Sequence, residues 1–347
     1  MTPRTLLILA VLAVGAAVGV WLTQQEPDHG AAEVGERFLP NLLDQVDGVA
    51  GVTIRGAGGE VMAEVHRDDD GTWRVRNRWD YPANSGALRE TLVALAEARR
   101  LDARTNDPDR WHRLSVEAID DPDADGMEIE LHQPDGDHDG LRIVVGRTAS
   151  TREGTFVRMA DENRVWLLDQ RIERRVEIGD WLRSRLIDID VEDVVAVDIE
   201  PAEGDAVRVR PDVDDVSGFR LPDVPAGTEL VTPTIGRSIA RVVSDLRFTD
   251  VRTQRDAEPL DAVARARYEA RNGLIVHVHS YTLPEDGNAE AVRMSADATD
   301  DADAEIRERA EVLNRDWDGW VYQLPEHKYV NASHNRNRVK ANPPAQQ

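Results

Sequence analysis

Hydrophobic residues follow two kinds of pattern along this chain of 347 residues. Near the start, residues 6–22 (LLILAVLAVGAAVGVWL) form one apolar run without a charge. From residue 46 onward, apolar and polar residues alternate in short runs, as half-buried β-strands require. Two other stretches repeat apolar residues every three or four positions, which indicates one face of a helix. The pattern predicts one apolar segment followed by an α+β region.

The alternating region contains two similar halves. Residues 46–55 (VDGVAGVTIR) resemble residues 191–200 (VEDVVAVDIE), and each half continues with a short strand that carries an aromatic residue, Trp73 or Phe219. A helix follows in each half. Its apolar positions are Leu88, Leu92 and Leu95 in the first half, and Ile235, Ile239 and Val242 in the second. We predict two tandem copies of one antiparallel-sheet-plus-helix unit.

The later strands of the two halves match at a constant offset. The matched segments are 127–131 with 274–278, 141–145 with 291–295, and 155–159 with 319–324. The second half carries an insertion, in which residues 305–313 are predicted to be helical. The repeats are therefore expected at 46–182 and 191–330, joined by a connector at 183–190.

The apolar segment predicts a membrane anchor. It begins at Leu6 and ends at Leu22, and a helix of this length spans about 26 Å, close to the ~30 Å of a bilayer core. Arg4 precedes it and acidic residues follow, which places residues 1–5 in the cytoplasm and the later chain on the extracytoplasmic or periplasmic side of the inner membrane. A cleaved signal peptide is the alternative. Residues 23–45 are expected to form a juxtamembrane linker with a short helix, and Gly15 and Gly19 have the spacing of a helix-pairing motif.

Composition changes this picture in three ways. The net charge of −24 excludes a nucleic-acid binder that works by phosphate neutralisation. The absence of cysteine excludes disulfides and thiolate metal sites. An acid-rich chain with only two lysines, Lys328 and Lys340, indicates adaptation to high salt. Residues 331–347 are the exception, a basic stretch predicted to be a disordered tail, with contact to anionic headgroups or an acidic partner as the alternative.

Two histidines are the weak candidates for a metal site. His277 and His279 are two positions apart on a predicted strand, so both side chains point to one face. Glu130 and His132 occupy the matching positions of the first half, which indicates the solvent side. Two Asp-x-Asp-x-Asp-Gly stretches, at 121–126 and 135–140, resemble the start of a calcium loop, but the twelfth position is not acidic in either. Turns are the expected role of both stretches.

Aromatic residues offer a second kind of site. Trp79, Tyr81 and Trp111 are candidates for contact with a glycan or a partner protein, because exposed aromatic rings stack on sugars. Trp73, Trp166 and Trp320 are predicted to lie in the core. The sequence contains none of the common nucleophile, phosphate-loop, zinc-protease or dinucleotide motifs. We therefore predict no catalytic residues, no cofactor and no enzymatic activity.

Several strings together resemble a known family, the single-span envelope proteins that share the domain of unknown function 4340. The strings are FLPNLLDQVDGVAGVTIR (38–55), DGTWRVRNRWDYPAN (70–84), ALRETLVALAEARRLDART (87–105), GDWLRSRLIDID (179–190) and EVLNRDWDGWVYQLPEHKY (311–329). The resemblance implies an accessory protein of ABC-type transporters of the gliding-motility kind, whose permease has a large extracytoplasmic auxiliary domain. After Tyr329 the sequence departs from the family pattern, which usually has a helical end.

The sequence leaves three functions open. The first is a membrane-anchored, non-enzymatic accessory or scaffold protein of an ABC-type envelope transport complex. The second is a binding module for envelope polysaccharide or peptidoglycan. The third is a metal-dependent envelope hydrolase, which requires a metal at His277 and His279.

Overall fold

A computed structural model describes residues 33–42, 48–133, 140–150, 153–225, 227–258, 260–283, 289–337 and 339–340. These residues form mixed α+β structure with antiparallel sheets and few helices, which confirms the predicted class. None of the helices within these ranges has the length and apolar character needed to cross a membrane. The predicted anchor at 6–22 lies outside the described residues.

The first half of the chain contains nine strands and one longer helix, α1. The strands are β1 (Gly51–Arg55), β2 (Val61–Arg67), β3 (Trp73–Val75), β4 (Tyr81–Pro82), β5 (Arg100–Ala103), β6 (Met127–His132), β7 (Leu141–Thr148), β8 (Thr155–Met159) and β9 (Val165–Leu168). Helix α1 spans Ser85–Glu97. Asn84 Oδ1 accepts a hydrogen bond from the Ala87 N–H at 3.1 Å, so Asn84 caps the helix.

The second half contains ten strands and five helices among the described residues. They are α2 (Ile178–Trp181), β10 (Arg185–Ile187), β11 (Val194–Pro201), β12 (Val207–Pro211), β13 (Phe219–Arg220), α3 (Ile235–Ala240), β14 (Leu246–Arg247), β15 (Asp250–Thr253), α4 (Gln254–Ala257), β16 (Asp261–Ala270), β17 (Leu274–Leu283), β18 (Ala289–Ala298), α5 (Ala304–Trp317), β19 (Trp320–Gln323) and α6 (Glu326–Ala332). The 3₁₀ turn Arg241–Val243 continues α3, and α5 contains the helix predicted at 305–313.

Two large sheets carry most of these strands. The first has the order β4-β3-β2-β1-β6-β7-β8-β9-β5, and the second has the order β13-β12-β11-β16-β17-β18-β19-β15. Each neighbouring pair with a resolved register is antiparallel, for example Ile129 opposite Ile143 in the first sheet and Val278 opposite Met294 in the second. Strands β10 and β14 form a separate small ladder.

The strand orders of the two sheets correspond, apart from the additional β4. The position of β6 in the first sheet is that of β16 in the second, and the position of β7 is that of β17. The sequence comparison instead matched residues 127–131, in β6, with 274–278, in β17. The observed order therefore differs from the predicted correspondence by one strand. A shift of one whole strand preserves a period-two pattern, so alternation alone does not detect it.

The described chain divides into two compact units. Unit 1 comprises residues up to Met62 together with Leu88–Val176, and unit 2 comprises Ala63–Ala87 together with residues from Glu177 onward. Unit 2 therefore includes residues 63–87, which lie within the range of the first predicted repeat.

Unit 1 has apolar residues on both faces of β7 to β9. Ile143, Val145 and Val157 are buried, and Val144 packs with Phe156 in a second cluster. The segment that follows the 3₁₀ helix Pro108–Arg113 covers this second cluster. A Cβ at Gly146 would lie 2.3 Å from the Leu114 carbonyl oxygen, so only glycine fits where that segment crosses β7.

In unit 2, residues 63–87 are held by backbone and side-chain contacts. The Asn84 N–H donates to the Trp181 carbonyl at 2.8 Å. Arg78 forms two hydrogen bonds with the Asp250 carboxylate, at 2.6 and 3.1 Å. A bidentate arginine–carboxylate pair fixes orientation as well as distance, so it fixes the turn before β4 on β15.

Helix α5 completes the edge of β18 in unit 2. The Asn314 side chain accepts from the Ala296 N–H at 2.7 Å and donates to the Ala296 carbonyl at 2.8 Å. This amide therefore takes the place of a neighbouring strand where β18 extends beyond its one residue pair with β19, Val292 opposite Tyr322.

The described residues between 331 and 340 differ from the disordered tail predicted at 331–347. Helix α6 is followed by buried His334 and Val339, the second of which is 0% exposed. The Val231 N–H donates to the Val339 carbonyl at 3.0 Å. Arg336 forms an ion pair with Asp205 at 3.2 Å. Burial of a few apolar groups between the basic residues orders this segment, which a charge count does not reveal. Residues 341–347 lie outside the described part.

Candidate functional site

Alternation along β17 places His277 and His279 on the same face of the second sheet. The strand register supplies their neighbours. Arg265 on β16 and Arg293 on β18 lie directly opposite His279, on either side of it. We call Arg265, His279 and Arg293 the arginine–histidine row, because they form one line across three adjacent strands.

The two imidazoles are close to each other and differ in their surroundings. Their ring centroids are 6.1 Å apart, and His277 Nε2 lies 3.1 Å from Oδ2 of Asp297. Partial burial lowers the pKa of His279, and His277, Arg265 and Arg293 lower it further by charge repulsion. Since its ordinary pKa is already about 6.5, His279 is neutral near pH 7.

These surroundings bear on the predicted metal candidates. Within the ranges that the structure describes, no group of three or more His, Cys, Asp or Glu side chains is placed to hold a metal ion. Arg267 lies opposite His277, and the two arginines of the row lie opposite His279. Nearby guanidinium groups raise the energy of a bound cation. The arrangement therefore favours an anion over a metal ion at His277 and His279.

The neighbouring arginines on this face have acidic partners, whereas those of the row do not. Arg267 Nη1 lies 2.7 Å from Glu269 Oε2, and Arg210 Nη2 lies 2.7 Å from Asp198 Oδ1. Among the described residues, neither arginine of the row makes an ion pair or a hydrogen bond. Both are therefore available to a ligand from outside the chain.

A polar face of the first sheet is organised around Glu128, which is 1% exposed. Its carboxylate accepts a hydrogen bond from Arg55 at 3.2 Å and two from Arg142, at 3.1 and 2.9 Å. Arg55 also donates to Glu130 at 2.6 Å. The buried negative charge is matched on both sides, as burial of a carboxylate requires.

Arg158 on β8 is a second buried charge in unit 1, at 2% exposure. Its guanidinium donates to five backbone carbonyls at 2.8 to 3.3 Å. The acceptors are those of Val116, Glu117, Met159, Ala160 and Glu162. Burial lowers the pKa of Arg158, but the guanidinium stays charged at any physiological pH. Arg158 thus joins the loop after β8 to the segment after the 3₁₀ helix.

Trp111, a predicted contact residue, lies in the 3₁₀ helix Pro108–Arg113 and is half-buried. One face of its ring is covered by the Arg158 guanidinium, 3.9 Å from the ring centroid, and its Nε1 donates to the Asn163 carbonyl at 3.3 Å. An open cleft of about 570 Å³ lies beside this helix. We call it the arginine cleft. Its lining is Ala103, Arg104, Thr105, Asn106, Asp107, Arg110, Arg113 and Leu114.

The other two predicted contact residues have different environments. Trp79 is 44% exposed and lies in a left-handed turn at φ 52°, so its ring is available to a partner. Tyr81 is 4% exposed, and the prediction of a surface contact is wrong for it. Its ring meets those of Trp320 and Phe248 edge-on, with centroids 4.9 and 5.4 Å away. Burial raises the pKa of Tyr81 to about 12.

The predicted core tryptophans are confirmed only in part. Trp166 is 3% exposed, whereas Trp73 and Trp320 are half-buried. Trp73 stacks with the Arg67 guanidinium at 4.8 Å. Two tryptophans that were not assigned to the core, Trp181 and Trp317, are buried.

The aspartate-rich stretch at 121–126 serves as a turn, as predicted. Asp121 Oδ1 accepts from the Asp123 N–H at 2.9 Å. Asp125 accepts from the Ser115 hydroxyl at 2.7 Å, a bond that lowers the pKa of this carboxyl. The stretch at 135–140 lies almost entirely outside the described residues, between two strands that pair as an antiparallel hairpin. Gly15 and Gly19 also lie outside the described residues.

Sequence reasoning missed Lys328, although lysine is rare in this chain. Its Nζ donates to three backbone carbonyls at 2.8 to 3.0 Å, those of Arg241, Val242 and Ser244. Arg241 and Val242 lie in the 3₁₀ turn that continues α3, and Ser244 follows it, where carbonyls lack helical partners. Partial burial lowers the pKa of Lys328. The signal that could have marked this position is the rarity of lysine, since Lys328 is one of only two lysines in the chain.

The two large antiparallel sheets and the few helices define a protein of the α+β class, and comparison with known proteins shows its family. The family described as Domain of unknown function (DUF4340) matches residues 73–263, which is more than half of the chain. The protein belongs to this family. No curated protein and no solved structure matches it.

The family match covers some of the features described above and not others. Glu128, Arg158 and Trp111 lie within the matched residues. His277, His279 and Arg293 lie after them. Arg265 also lies after them, so the whole arginine–histidine row is outside the matched residues.

Proposed function

We propose that this protein is a non-enzymatic accessory or scaffold protein on the extracytoplasmic side of the inner membrane. Residues 6–22 anchor it as a single-pass protein, with residues 1–5 in the cytoplasm and both units outside. The uncharged apolar run, with Arg4 before it and acidic residues after it, supports this topology.

The observation that carries the non-enzymatic part is the use made of buried charges. Arg158 binds five backbone carbonyls, Lys328 binds three, and Glu128 is enclosed by two arginines. A catalytic acid, base or nucleophile must face a substrate and exchange protons with it. These three groups have their hydrogen-bonding capacity filled by the protein itself. They support a scaffold held rigid by its polar interior.

The partner that we propose is an ABC-type permease of the gliding-motility kind, with a large extracytoplasmic auxiliary domain. Family membership and the anchor support this part of the proposal, because an anchored protein meets membrane partners at a high effective concentration. Trp79, exposed on a turn that Arg78 fixes to β15, is the residue that we expect at the contact.

Purification of the tagged full-length protein in mild detergent tests this proposal. We expect it in the membrane fraction, with an ABC permease or ATPase enriched beside it. A variant lacking residues 6–22 is the control, and we expect it in the soluble fraction without that partner. Recovery of the full-length protein as a lone monomer contradicts the complex, and recovery from the soluble fraction contradicts the anchor.

We also propose that the two halves arose by tandem duplication. The shared order of eight strands supports this, as does the position of α1 and α3 before β5 and β15. Two short antiparallel pairings also support the duplication. Arg37 pairs with Arg99 in the first half, and Arg185 pairs with Arg247 in the second. Separate expression of each half would test whether the copies remain independent, and we expect neither half to fold alone, because unit 2 contains residues 63–87.

A glycan-binding module is the second candidate, and the arginine cleft favours it. Arg113 is exposed without an ion pair among the described residues, and Arg110 and Arg104 line the same cleft beside Trp111. Guanidinium groups bind carboxylates, so the fitting glycan carries acidic sugars. We expect Arg113→Gln to weaken binding of a uronic-acid oligosaccharide, and Arg89→Gln, an exposed change on α1, to leave it unchanged. Equal binding by both variants, measured by calorimetry, would remove this candidate.

A further inference from the structure

The second sheet carries a feature that a scaffold does not need. Arg265, His279 and Arg293 stand side by side on three neighbouring strands, all on one face. Opposed side chains of neighbouring strands have Cβ atoms about 5 Å apart, a distance that an arginine side chain can span, so one anion can contact both guanidinium groups and the imidazole. Both arginines also lower the pKa of His279 by charge repulsion, in agreement with this register.

The two arginines of this row have no acidic partner among the described residues, although the chain has an excess of acids. Acidic residues outnumber basic ones by 66 to 42, and the neighbouring Arg267 and Arg210 both have carboxylate partners. Glu200 lies opposite Arg265 across β11 and β16 without forming an ion pair with it. Two unpaired guanidinium groups beside a half-buried imidazole repel each other, and this arrangement costs stability unless an anion completes it.

The chemistry of the row defines the ligand. Each guanidinium presents a planar fork of N–H donors, which matches two oxygens of one anion, and the neutral imidazole adds a single donor between them. Three donor side chains around one point suit a tetrahedral oxyanion better than a planar carboxylate. A long polyanion is disfavoured, because the acidic surface around the row repels every charge beyond the first.

We propose that Arg265, His279 and Arg293 form a binding site for a single phosphate group, free or carried by a small molecule or a lipid headgroup. Both guanidinium groups bind its oxygens, and His279 donates the remaining hydrogen bond. The site goes beyond the scaffold function and does not depend on it.

Other titratable and charged groups face the row from the strands packed beside it. On β11 they are Asp198 and Glu200, on β16 Arg267 and Glu269, on β17 His277 and Tyr281, and on β18 Asp297. Bound phosphate favours the protonated form of His279, because it places a negative charge beside the ring. Phosphate binding and protonation of His279 therefore favour each other, and bound phosphate raises the pKa of His279.

The test uses full-length protein in a maltoside detergent, which contains no phosphate, and titrates inorganic phosphate by calorimetry, with chloride at matched ionic strength as the blank. We expect saturable binding to one site. Arg265→Gln and Arg293→Gln should each weaken it by about tenfold, the effect of losing one charge-assisted pair. Arg267→Gln is the matched control on the same face, and it should leave the affinity within about twofold. An equal loss in all three variants, or no saturable binding, overturns the proposal.

A second readout separates the site from a general charge effect. Imidazole NMR should show that phosphate raises the pKa of His279, identified by the signal that His279→Gln removes, whereas the signal of exposed His327 should not respond. Nanodiscs that contain phosphatidylglycerol should produce the same shift without added phosphate if the ligand is a lipid headgroup, and no shift if it is a free phosphate. A His279 signal that responds to neither source contradicts the proposal.

Discussion

The polar faces of the two sheets differ in whether their charged side chains are paired. On the first sheet Glu128 is almost completely buried, and Arg55 and Arg142 neutralise it. On the second sheet Arg265 and Arg293 remain half or fully exposed, unpaired within the described chain, with His279 between them. The same strand order thus supports one face on which charges hold the fold and another on which charges are available. The difference lies in individual side chains and not in topology.

The largest effect should come from Arg158 in unit 1. Arg158→Met keeps most of the apolar stem and leaves five carbonyls without their donor, so we expect the free energy of unfolding to fall by about 4 kcal/mol. Urea denaturation measures this. Arg89→Met, an exposed change on α1, should stay within about 0.5 kcal/mol. A small effect at Arg158 would show that water replaces the guanidinium, and would break the contrast between a structural and an available face.

Glu128 tests the same contrast within one network. Glu128→Gln removes the anion that Arg55 and Arg142 share and leaves Glu130 as a partner of Arg55. Because both arginines are partly exposed, we expect a loss of about 2 kcal/mol, below the ~3 kcal/mol or more of a fully buried pair. Its counterpart on the second sheet is Glu269→Gln, which removes an accessible pair and should cost about 0.5 kcal/mol or less. Equal losses at the two positions would contradict the difference between the faces.

His279 gives the second face a pH signature. Its pKa is lower in the folded chain than in the unfolded one, so the unfolded state binds a proton first as the pH falls. The contribution of His279 to stability is therefore complete above its unfolded pKa of about 6.5 and is lost below it. We expect His279→Gln to flatten the decrease in unfolding free energy between pH 7 and 5, in phosphate-free buffer. An unchanged slope would argue against a half-buried imidazole flanked by cations.

The smallest effect on stability should come from the arginines of the row. Arg265→Gln and Arg293→Gln remove no ion pair, so we expect changes within about 0.5 kcal/mol, towards greater stability because repulsion is relieved. Thermal unfolding without phosphate measures this. A loss of more than about 1 kcal/mol at either position would reveal a structural partner and would make the two faces alike.

Local pattern was sufficient to predict the parts of this fold that depend on neighbours in sequence. The α+β class, the two helices that carry Leu88 and Ile235, and the shared face of His277 and His279 follow from periods of 3.6 and 2 residues. The Asn84 cap follows from its position before α1. These features need no knowledge of how distant segments meet.

Features that depend on distant segments could not be predicted. Tyr81 is polar at one end and lies in a turn-rich stretch, yet it is buried because Phe248 and Trp320 pack against its ring. The arginine–histidine row depends on the exact register of β16, β17 and β18. Alternation cannot determine this register, because a slip of two residues leaves every side chain on the same face. The sequence does not distinguish Glu128 from the other acidic residues, because its partners lie on other strands, β1 and β7.

Lys328 has a practical consequence for work on this protein. An amine that donates to three carbonyls must keep all three of its protons, so it has no free lone pair with which to attack an electrophile. With only one other lysine in the sequence, Lys340, amine-directed reagents have a single side-chain target in the native protein. A dye or an affinity handle can therefore be attached at one position without engineering. Cross-linking of its complexes, in contrast, should use carboxyl-directed reagents, for which the acidic surface offers many points of attachment.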